Sequence, residues 1–224
     1  MPHPVQLARQ VQLARQVYLV RHGQSEWNVA RRTQGQTHHP RLTEVGRQQA
    51  ARAAETIATD LTARRSVVTR VITSDLTRAV ETAQIVAERL GGVVSHDARL
   101  REQALGHLEG RSYEETFAAA EAHDWSDPTL PVAGGESPMQ VYARMAAVLT
   151  EVGATEVSAP SDRAAPSSAR ATHPAHATIL VSHGDAIRLA VAYLRGQQPH
   201  EADWVEVTNG AVARIDAGLT WLAQ

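Results

Sequence analysis

Side chains that can bind a phosphate group follow three apolar runs of the chain. Arginine can donate hydrogen bonds to two oxygens of one anion without losing its charge, and imidazole can carry a proton near neutral pH. Residues of these types after three apolar runs favour a site for an anion such as phosphate. They are Arg21-His22-Gly23 after 17–20, Arg78 shortly after 67–73, and His183-Gly184 after 178–182.

Each of these residues has a plainer interpretation when it is taken alone. A histidine after a strand is more often a capping or core residue than a catalyst, and Arg78 by itself would be a solvated helix residue. Chance alone would have to place an arginine or a histidine after each of three separate strands. The set as a whole therefore favours a shared site.

The elements around these residues alternate between strand and helix. Such alternation predicts an α/β fold with parallel pairing, in which helices cover both faces of the sheet and the carboxyl ends of the strands lie at one edge. We therefore expect Arg21, His22, Arg78 and His183 to face one pocket. The N-termini of the helices that follow would add positive potential for an anion.

Capping residues predict where several helices begin and end. Thr43 is a candidate N-cap for a helix to about Leu61, and a helix from Leu76 should end at Gly91-Gly92. The spacing of Ser112 and Glu115 is that of a capping box. Ser137 with Gln140 repeats that spacing before a helix that should end at Gly153.

The C-terminal part of the chain predicts one more helix and three strands. A helix after 178–182 should reach about Arg195. A hairpin of Val205–Thr208 and Ala211–Asp216 is expected about Asn209-Gly210, followed by a last strand at Leu219–Leu222.

Composition excludes several classes of function. The chain has 224 residues, a formal net charge of −2 and no cysteine. Neither a nucleic acid nor a membrane is therefore expected as partner, and disulfide and thiolate chemistry are excluded. No apolar run approaches the roughly 20 residues that span a bilayer, and the N-terminus lacks the apolar stretch of a signal peptide. These features predict a soluble, cytoplasmic protein.

Two segments stand apart from the α/β pattern. Residues 1–16 contain a duplicated six-residue unit, which we interpret as a leader before a single domain over 17–224. Residues 154–177 are rich in Ala, Pro, Ser and Arg without periodicity, which predicts a flexible surface loop.

Five motifs in order resemble those of the histidine phosphatase superfamily, the phosphoglycerate mutase-like proteins. The resemblance extends from Val17 nearly to the C-terminus. It implies a three-layer α/β/α fold with a mostly parallel central sheet. The motifs are Arg21–Asn28, Leu42–Ala50, Ser74–Ala83, Leu100–Glu102 with Gly106 and Glu109-Gly110, and Ser182–Gly184.

The resemblance also implies roles for five catalytic residues. His22 would attack phosphorus and become a phosphohistidine, which requires a neutral ring. Arg21, Arg78 and His183 would hold the non-bridging oxygens. Glu102 would protonate the leaving alkoxide and then activate water. The competing carboxylate for that role is Glu109, and without the resemblance Glu102 would be interpreted as a surface residue beside two arginines.

The same resemblance implies how the substrate is bound. Ser25, Asn28, Gln34, Gly35 and Gly184 would line the pocket. Neither a cofactor nor a metal is expected, since Arg and His supply the charge and no histidine–carboxylate set has convincing ligand spacing. The expected partner is a small phosphorylated metabolite, and a homodimer is left open.

Three functions are compatible with these residues. The leading hypothesis is a metal-independent phosphomonoester hydrolase of the phosphatase branch. The second is a cofactor-dependent phosphoglycerate mutase, which would need a longer insertion after the acid residue and a C-terminal tail that closes the site. In this chain, Gly134-Gly135-Glu136-Ser137 follows Glu102 fairly soon, and the sequence ends after the last predicted strand. The third is a phospho-ligand binding protein without turnover. Substrate specificity is expected to come from the region 112–137, with the loop 154–177 as a second candidate.

Overall fold

The fold was analysed in a computed structural model that describes residues 16–154, 175–203, 205–216 and 218–224. Six strands and six α-helices occur in these ranges. Residues 1–15 of the predicted leader and 155–174 of the predicted loop lie outside the described residues, whereas Gln16 belongs to β1 and 175–177 belong to β4, so both predicted segments extended too far. The elements are β1 (Gln16–Arg21), α1 (Glu26–Val29), α2 (Glu44–Arg64), β2 (Ser66–Thr73), α3 (Thr77–Leu90), β3 (Val93–His96), α4 (Tyr113–Glu121), α5 (Pro138–Val152), β4 (Ala175–Ser182), α6 (Gly184–Leu194), β5 (Val212–Ile215) and β6 (Leu219–Ala223).

The strands form one sheet in the order β3-β2-β4-β1-β5-β6. The pairs β2–β3, β2–β4 and β1–β4 are parallel, whereas β5 runs antiparallel to both β1 and β6. In the centre, Arg21 pairs with Ser182, and Thr73 with Val181. The carboxyl ends of β2, β4 and β1 therefore lie side by side.

Each face of the sheet packs against two helices, because successive side chains of a strand point to opposite faces. Val17 and Leu19 of β1 belong to a buried cluster with α5 and α6. Tyr18 and Val20 belong to a second cluster with α2 and α3. The predicted three-layer α/β/α fold with a mostly parallel sheet is thus confirmed.

Capping residues define the helix boundaries as predicted. The Thr43 side chain accepts a hydrogen bond from Gly46 N at the start of α2, although that helix ends three residues later than expected, at Arg64. Ser112 and Ser137 form the predicted capping boxes of α4 and α5. Gly153 ends α5 with a left-handed backbone, φ 84°, which glycine adopts without steric cost.

The predicted hairpin near the C-terminus was wrong, and two short elements were missed. Residues 205–208 form no strand, so the predicted hairpin about Asn209-Gly210 is absent, and β5 pairs instead with β1 and β6. The edge strand β3 and the one-turn helix α1 were not predicted. Among the described residues, no helix is long and apolar enough to cross a membrane.

Candidate active site

The ends of the three central strands hold the backbone of the site. The hydrogen-bond ladder continues past the last strand residues, since His22 N donates to Ser182 O at 3.0 Å and Ser74 N donates to Val181 O at 3.0 Å. His22 and His183 follow neighbouring parallel strands directly. Their backbone positions are therefore determined by the sheet and not by a free loop.

The two predicted histidines lie together in the interior. The ring centroids of His22 and His183 are 5.0 Å apart, and the rings are inclined at 57°. The exposed fractions of the two residues are 2% and 0%. Burial so deep in a protein normally requires a hydrogen-bond partner for each polar atom or a ligand that supplies one.

Hydrogen bonds orient His22 on both its side chain and its backbone. Its Nδ1 lies 2.7 Å from Gly23 O. Because a carbonyl only accepts, Nδ1 carries the proton and Nε2 has the free lone pair. The carbonyl of His22 accepts hydrogen bonds from Asn209 Nδ2 at 3.1 Å and from Gly210 N at 3.2 Å.

The pKa of His22 lies well below its usual value. Burial is the largest cause, and the guanidinium groups of Arg78 and Arg21 add to it by opposing another positive charge. The imidazole is therefore neutral near pH 7, which is the state that a nucleophile requires.

His183 is also neutral in the absence of a ligand. Burial lowers its pKa first, followed by the charge of Arg78 and the neighbouring His22. Its Nε2 lies 2.9 Å from Ser74 Oγ, and its buried Nδ1 has no hydrogen-bond partner in the protein. A bound phosphate dianion would favour the protonated ring, because an opposite charge raises the pKa of a histidine.

Carbonyl groups hold both arginines. Arg78 is 1% exposed and donates from Nη1 to Thr37 O at 2.9 Å and from Nη2 to Gly35 O at 2.8 Å. Burial lowers its pKa to about 10, so it keeps its charge at neutral pH. Arg21 donates from Nη1 to Val207 O, and its guanidinium lies against Gly184 at the start of α6.

Three buried nitrogens at the site have no hydrogen-bond partner. They are Arg21 Nε, Arg78 Nε and His183 Nδ1, out of five such side-chain atoms in the described part of the chain. Unpaired buried polar groups cost free energy unless a ligand satisfies them. Their occurrence on the three residues expected to hold phosphate fits an oxyanion as the ligand.

Glu102 approaches this site from the segment after β3. Its Oε2 accepts a hydrogen bond from Asp185 N at 3.3 Å and its Oε1 from Ala186 N at 3.1 Å, both in the first turn of α6. Burial and the negative charge of Asp185 raise its pKa, against the opposing effects of Gln103 N, Arg21 and Arg78. A carboxyl whose pKa is raised can act as a proton donor nearer neutrality.

Neither arginine beside Glu102 in the sequence is paired with it. Arg101 binds Asp75 through both carboxylate oxygens, with Nε at 2.6 Å from Oδ1. Arg99 binds Asp97 and Glu151. The surface interpretation of Glu102 is therefore not what the structure shows.

Glu109 has a different environment. Its Oε1 accepts hydrogen bonds from Gln36 N and Leu105 N, both at 3.0 Å, and its Oε2 lies 3.3 Å from Thr37 Oγ1. These contacts hold the loop whose carbonyl groups bind Arg78. Glu109 thus organises the neighbouring loop, while Glu102 contacts α6 directly after His183 and Gly184.

The predicted substrate-binding residues next to α1 form a cluster of their own. Ser25 is fully buried, accepts a hydrogen bond from Asn28 N as the N-cap of α1, and donates to Gln34 Oε1 at 2.8 Å. Asn28 Oδ1 lies 3.4 Å from Asn209 Nδ2, which connects this cluster to the carbonyl of His22.

Sequence reasoning missed two residues that hold the site. Asn209 was interpreted only as part of a turn. Arg144 on α5 donates to the carbonyls of Arg99, Arg101 and Glu102 and pairs with Glu136 at 2.9 Å. A partly buried arginine within a helix leaves no specific signal in a single sequence. No three His, Asp or Glu side chains within the described ranges are grouped as metal ligands would be.

Comparison with known proteins identifies the family. The model of the histidine phosphatase superfamily, branch 1, matches residues 17–218. The curated relatives include proteins named "Probable phosphoglycerate mutase GpmB". The one from Photorhabdus laumondii is 34% identical over 211 residues, which cover 91% of this chain and 86% of the relative. The one from Klebsiella pneumoniae is 35% identical over the same shares of the two chains.

Solved structures with the same fold include a phosphatase. A mycobacterial glucosyl-3-phosphoglycerate phosphatase in complex with VO3 is 32% identical, with a TM-score of 0.69 over 93% of this chain and 96% of that chain. YhfR from Bacillus stearothermophilus is 27% identical, with a TM-score of 0.69 over 94% of this chain and 96% of that chain.

Proposed function

The chain belongs to the histidine phosphatase superfamily, branch 1, and from this premise we propose that it is a phosphomonoester hydrolase that acts on a small phosphorylated metabolite through a phosphohistidine intermediate. The superfamily contains both phosphatases and mutases, as the names of the relatives illustrate. The observation that carries the proposal is the pair of neutral, buried imidazoles of His22 and His183, whose ring centroids are 5.0 Å apart. The guanidinium groups of Arg21 and Arg78 lie beside this pair.

In the first step, the Nε2 lone pair of His22 attacks phosphorus and the ester P–O bond breaks. Glu102, protonated when phosphate is bound, gives its proton to the departing alkoxide, and the phosphoryl group stays on His22. Arg21, Arg78 and His183 stabilise the charge on the non-bridging oxygens. Removing one such preorganised donor typically costs about 3–4 kcal/mol of transition-state stabilisation.

In the second step, water attacks the phosphohistidine and the P–N bond breaks. Glu102 now accepts a proton from the water, so that inorganic phosphate leaves and His22 returns to its neutral form. The proton that Glu102 gave in the first step is thereby replaced. One difficult displacement is divided into two easier ones by the covalent intermediate.

Trapping the intermediate tests the proposal. We expect ³²P from a labelled phosphomonoester to appear on the wild-type chain in an acid-labile, base-stable bond after rapid quenching, and to be absent from His22→Ala. The His22→Ala chain should also lose turnover across a panel of phosphorylated metabolites. Wild-type turnover by that variant would contradict the mechanism.

Phosphoglycerate mutase activity is the second candidate, because the curated relatives carry that name. A mutase must return the phosphoryl group to a glycerate, whereas a hydrolase gives it to water. Incubation with 3-phosphoglycerate, with and without 2,3-bisphosphoglycerate, separates the two. We expect free phosphate and no 2-phosphoglycerate. A chain that binds phosphate but neither hydrolyses nor transfers it would instead be a binding protein.

A further inference from the structure

A buried hydroxyl lies against the second histidine of the site. Ser74 follows the last residue of β2 and is fully buried. Its N–H donates to Val181 O at 3.0 Å, which fixes its backbone to β4 two residues before His183. Its Oγ lies 2.9 Å from His183 Nε2. No step of the proposed hydrolysis uses this hydroxyl.

A second contact of the hydroxyl limits the direction of its proton. Leu76 N donates to Ser74 Oγ at 3.3 Å. A serine hydroxyl has one proton to donate and two lone pairs that accept, so this contact occupies one lone pair. Within the described part of the chain, the only other hydrogen-bond partner of Ser74 Oγ is His183 Nε2. The serine proton therefore has one acceptor within reach.

The neutral ring of His183 can adopt two tautomers, which leave different numbers of buried groups unsatisfied. With the proton on Nε2, the ring donates to Ser74 Oγ, and both the serine proton and the Nδ1 lone pair lack a partner. With the proton on Nδ1, Ser74 Oγ donates to Nε2, and the Nδ1–H alone lacks a partner. Because unpaired buried polar groups cost free energy, the second tautomer is favoured.

The two imidazoles of the site then offer opposite groups to a phosphate. Both carry their proton on Nδ1, in His22 because Gly23 O accepts it at 2.7 Å, and in His183 because Ser74 occupies Nε2. His22 therefore offers the lone pair of Nε2, whereas His183 offers the N–H of Nδ1. Attack on phosphorus requires a lone pair, and a non-bridging oxygen accepts an N–H.

We propose that Ser74 is a positioning residue that keeps a proton on His183 Nδ1, so that this ring donates to phosphate even while it is neutral. The inference rests on the proposed function, of which it deepens the phosphate-binding step. When a bound dianion favours a second proton on the ring, Nε2 becomes a donor and the Ser74 hydroxyl turns to accept from it. Nδ1 keeps its proton in both states, so its hydrogen bond to phosphate does not depend on the charge of the ring.

Nitrogen NMR of the imidazoles tests the tautomer. The chain is labelled with ¹⁵N-histidine and measured without phosphate at about pH 8, where both rings are neutral, and His183→Gln assigns the signals of that ring. We expect the unprotonated nitrogen of His183 to be Nε2, which couples to both carbon-bound protons of the ring. In Ser74→Ala the proton should move to Nε2, the nitrogen that a free histidine side chain prefers to protonate.

Controls separate the effect of the hydroxyl from a general loss of packing. Ser74→Thr retains a hydroxyl and should keep the wild-type tautomer. Ser182→Ala removes an equally buried hydroxyl next to His183, but that hydroxyl donates to Leu100 O at 2.7 Å, so the tautomer should not change. The ring of His22 is an internal control, since a backbone carbonyl holds its proton on Nδ1 in every variant.

Calorimetry with inorganic phosphate measures the consequence for binding. Ser74→Ala should weaken phosphate binding by about tenfold to a hundredfold, because an unprotonated Nδ1 repels the oxygen that an Nδ1–H would bind, and hydrogen bonds to charged groups contribute this much. Ser74→Thr should restore most of the affinity.

The outcomes distinguish this inference from the hydrolase proposal. A proton on Nε2 of His183 in the wild type overturns the role of Ser74, and so does a Ser74→Ala chain whose tautomer or phosphate affinity is unchanged. The hydrolase proposal would remain intact in these cases. If tautomer and binding behave as expected but no ester is hydrolysed, the hydrolase proposal fails and the role of Ser74 stands. Should Ser74→Ala not fold, the tautomers of the wild type and of Ser74→Thr still decide the inference.

Discussion

Two neutral imidazoles beside two guanidinium groups define the chemistry at the scale of single residues. His22 and His183 are buried, and the charges of Arg78 and Arg21 oppose protonation of both. Without an anion, the site therefore keeps its positive charge on the arginines alone. A phosphate dianion would change that balance and favour a proton on His183, while the hydrogen bond to Gly23 O keeps the proton of His22 on Nδ1.

The lowered histidine pKa values predict a pH-dependent stability. The unfolded chain binds protons on these histidines below about pH 6.5, whereas the folded chain does not, so the free energy of unfolding falls as the pH falls through that value. Each histidine contributes a slope of up to about 1.4 kcal/mol per pH unit.

Replacing both histidines should remove this contribution. In urea unfolding between about pH 5 and pH 6.5, His22→Asn with His183→Asn should show a shallower fall of stability than the wild type. Equal m values in the two chains are the control for an unchanged denatured state. Identical slopes in both chains would show that these imidazoles do not titrate in this way.

Substitution of the two carboxylates distinguishes a proton donor from a structural residue. In the first turnover, Glu102→Gln should slow cleavage of benzyl phosphate by about 10²–10⁴-fold. Cleavage of 4-nitrophenyl phosphate should slow much less, since that leaving group departs without a proton. Rapid-quench measurement of alcohol release checks this difference.

Glu109→Gln is the matched control at this scale. Its carboxylate binds Gln36 N and Leu105 N, so its loss should affect both esters by the same factor through the loop that holds Arg78. An equal loss with both esters in Glu102→Gln would argue against Glu102 as the acid.

At the scale of elements, the turn after β1 is positioned by its close approach to the start of α2. A Cβ on Gly23 would lie 2.1 Å from Gly46 O, and a Cβ on Gly46 would lie 2.1 Å from Gln24 O. Both contacts are with backbone atoms, and a backbone atom cannot move away by a change of rotamer as a flexible side chain can. The two glycines therefore allow α2 to hold the peptide that follows His22.

Gly46→Ala tests this contact against helix propensity. Propensity alone predicts a gain of about 1 kcal/mol for alanine within a helix. We expect a loss of about 1–3 kcal/mol instead, with slower turnover if the proposed function holds, because the backbone after His22 must move. Gly218→Ala is the control, since an added Cβ there meets no atom within 4 Å. Urea unfolding and turnover of both variants decide the outcome, and a more stable Gly46→Ala would refute the close contact.

At the same scale, the helix caps were predictable and the segment 205–208 was not. Capping depends on side chains within three or four residues, as at Thr43 and Ser137. The segment 205–208 has the apolar alternation of a strand, yet Val207 O accepts a hydrogen bond from Arg21 and Asn209 Nδ2 donates to His22 O. The backbone carbonyl of Val207 and the side chain of Asn209 therefore hydrogen-bond to residues of the site and not to a neighbouring strand.

At the scale of the whole molecule, the central strand β4 connects both hydrophobic clusters and the site. Leu180 packs with α5 and α6, while Ile179 and Val181 pack with α2 and α3. The same strand leads directly to His183. Stability of the two layers and the geometry of the site therefore depend on one element.

Leu180→Ala should destabilise the fold strongly. The side chain is fully buried, so its truncation is expected to lower the free energy of unfolding by about 2–5 kcal/mol. Val93→Ala, on the exposed edge strand, should change it by less than about 0.5 kcal/mol. Chemical unfolding followed by circular dichroism measures both, and similar stabilities of the two variants would contradict this description of the core.

The amino-acid sequence by itself determined the family, the α/β class and the residue types at the strand ends, because hydrophobic period, capping and motif spacing are local properties of the chain. Tertiary structure alone decided that Glu102 contacts α6 while Glu109 holds a loop, and that Asn209 and Arg144 support the site. These facts depend on which groups distant in sequence come within hydrogen-bond distance after the sheet assembles, and local patterns do not encode those distances.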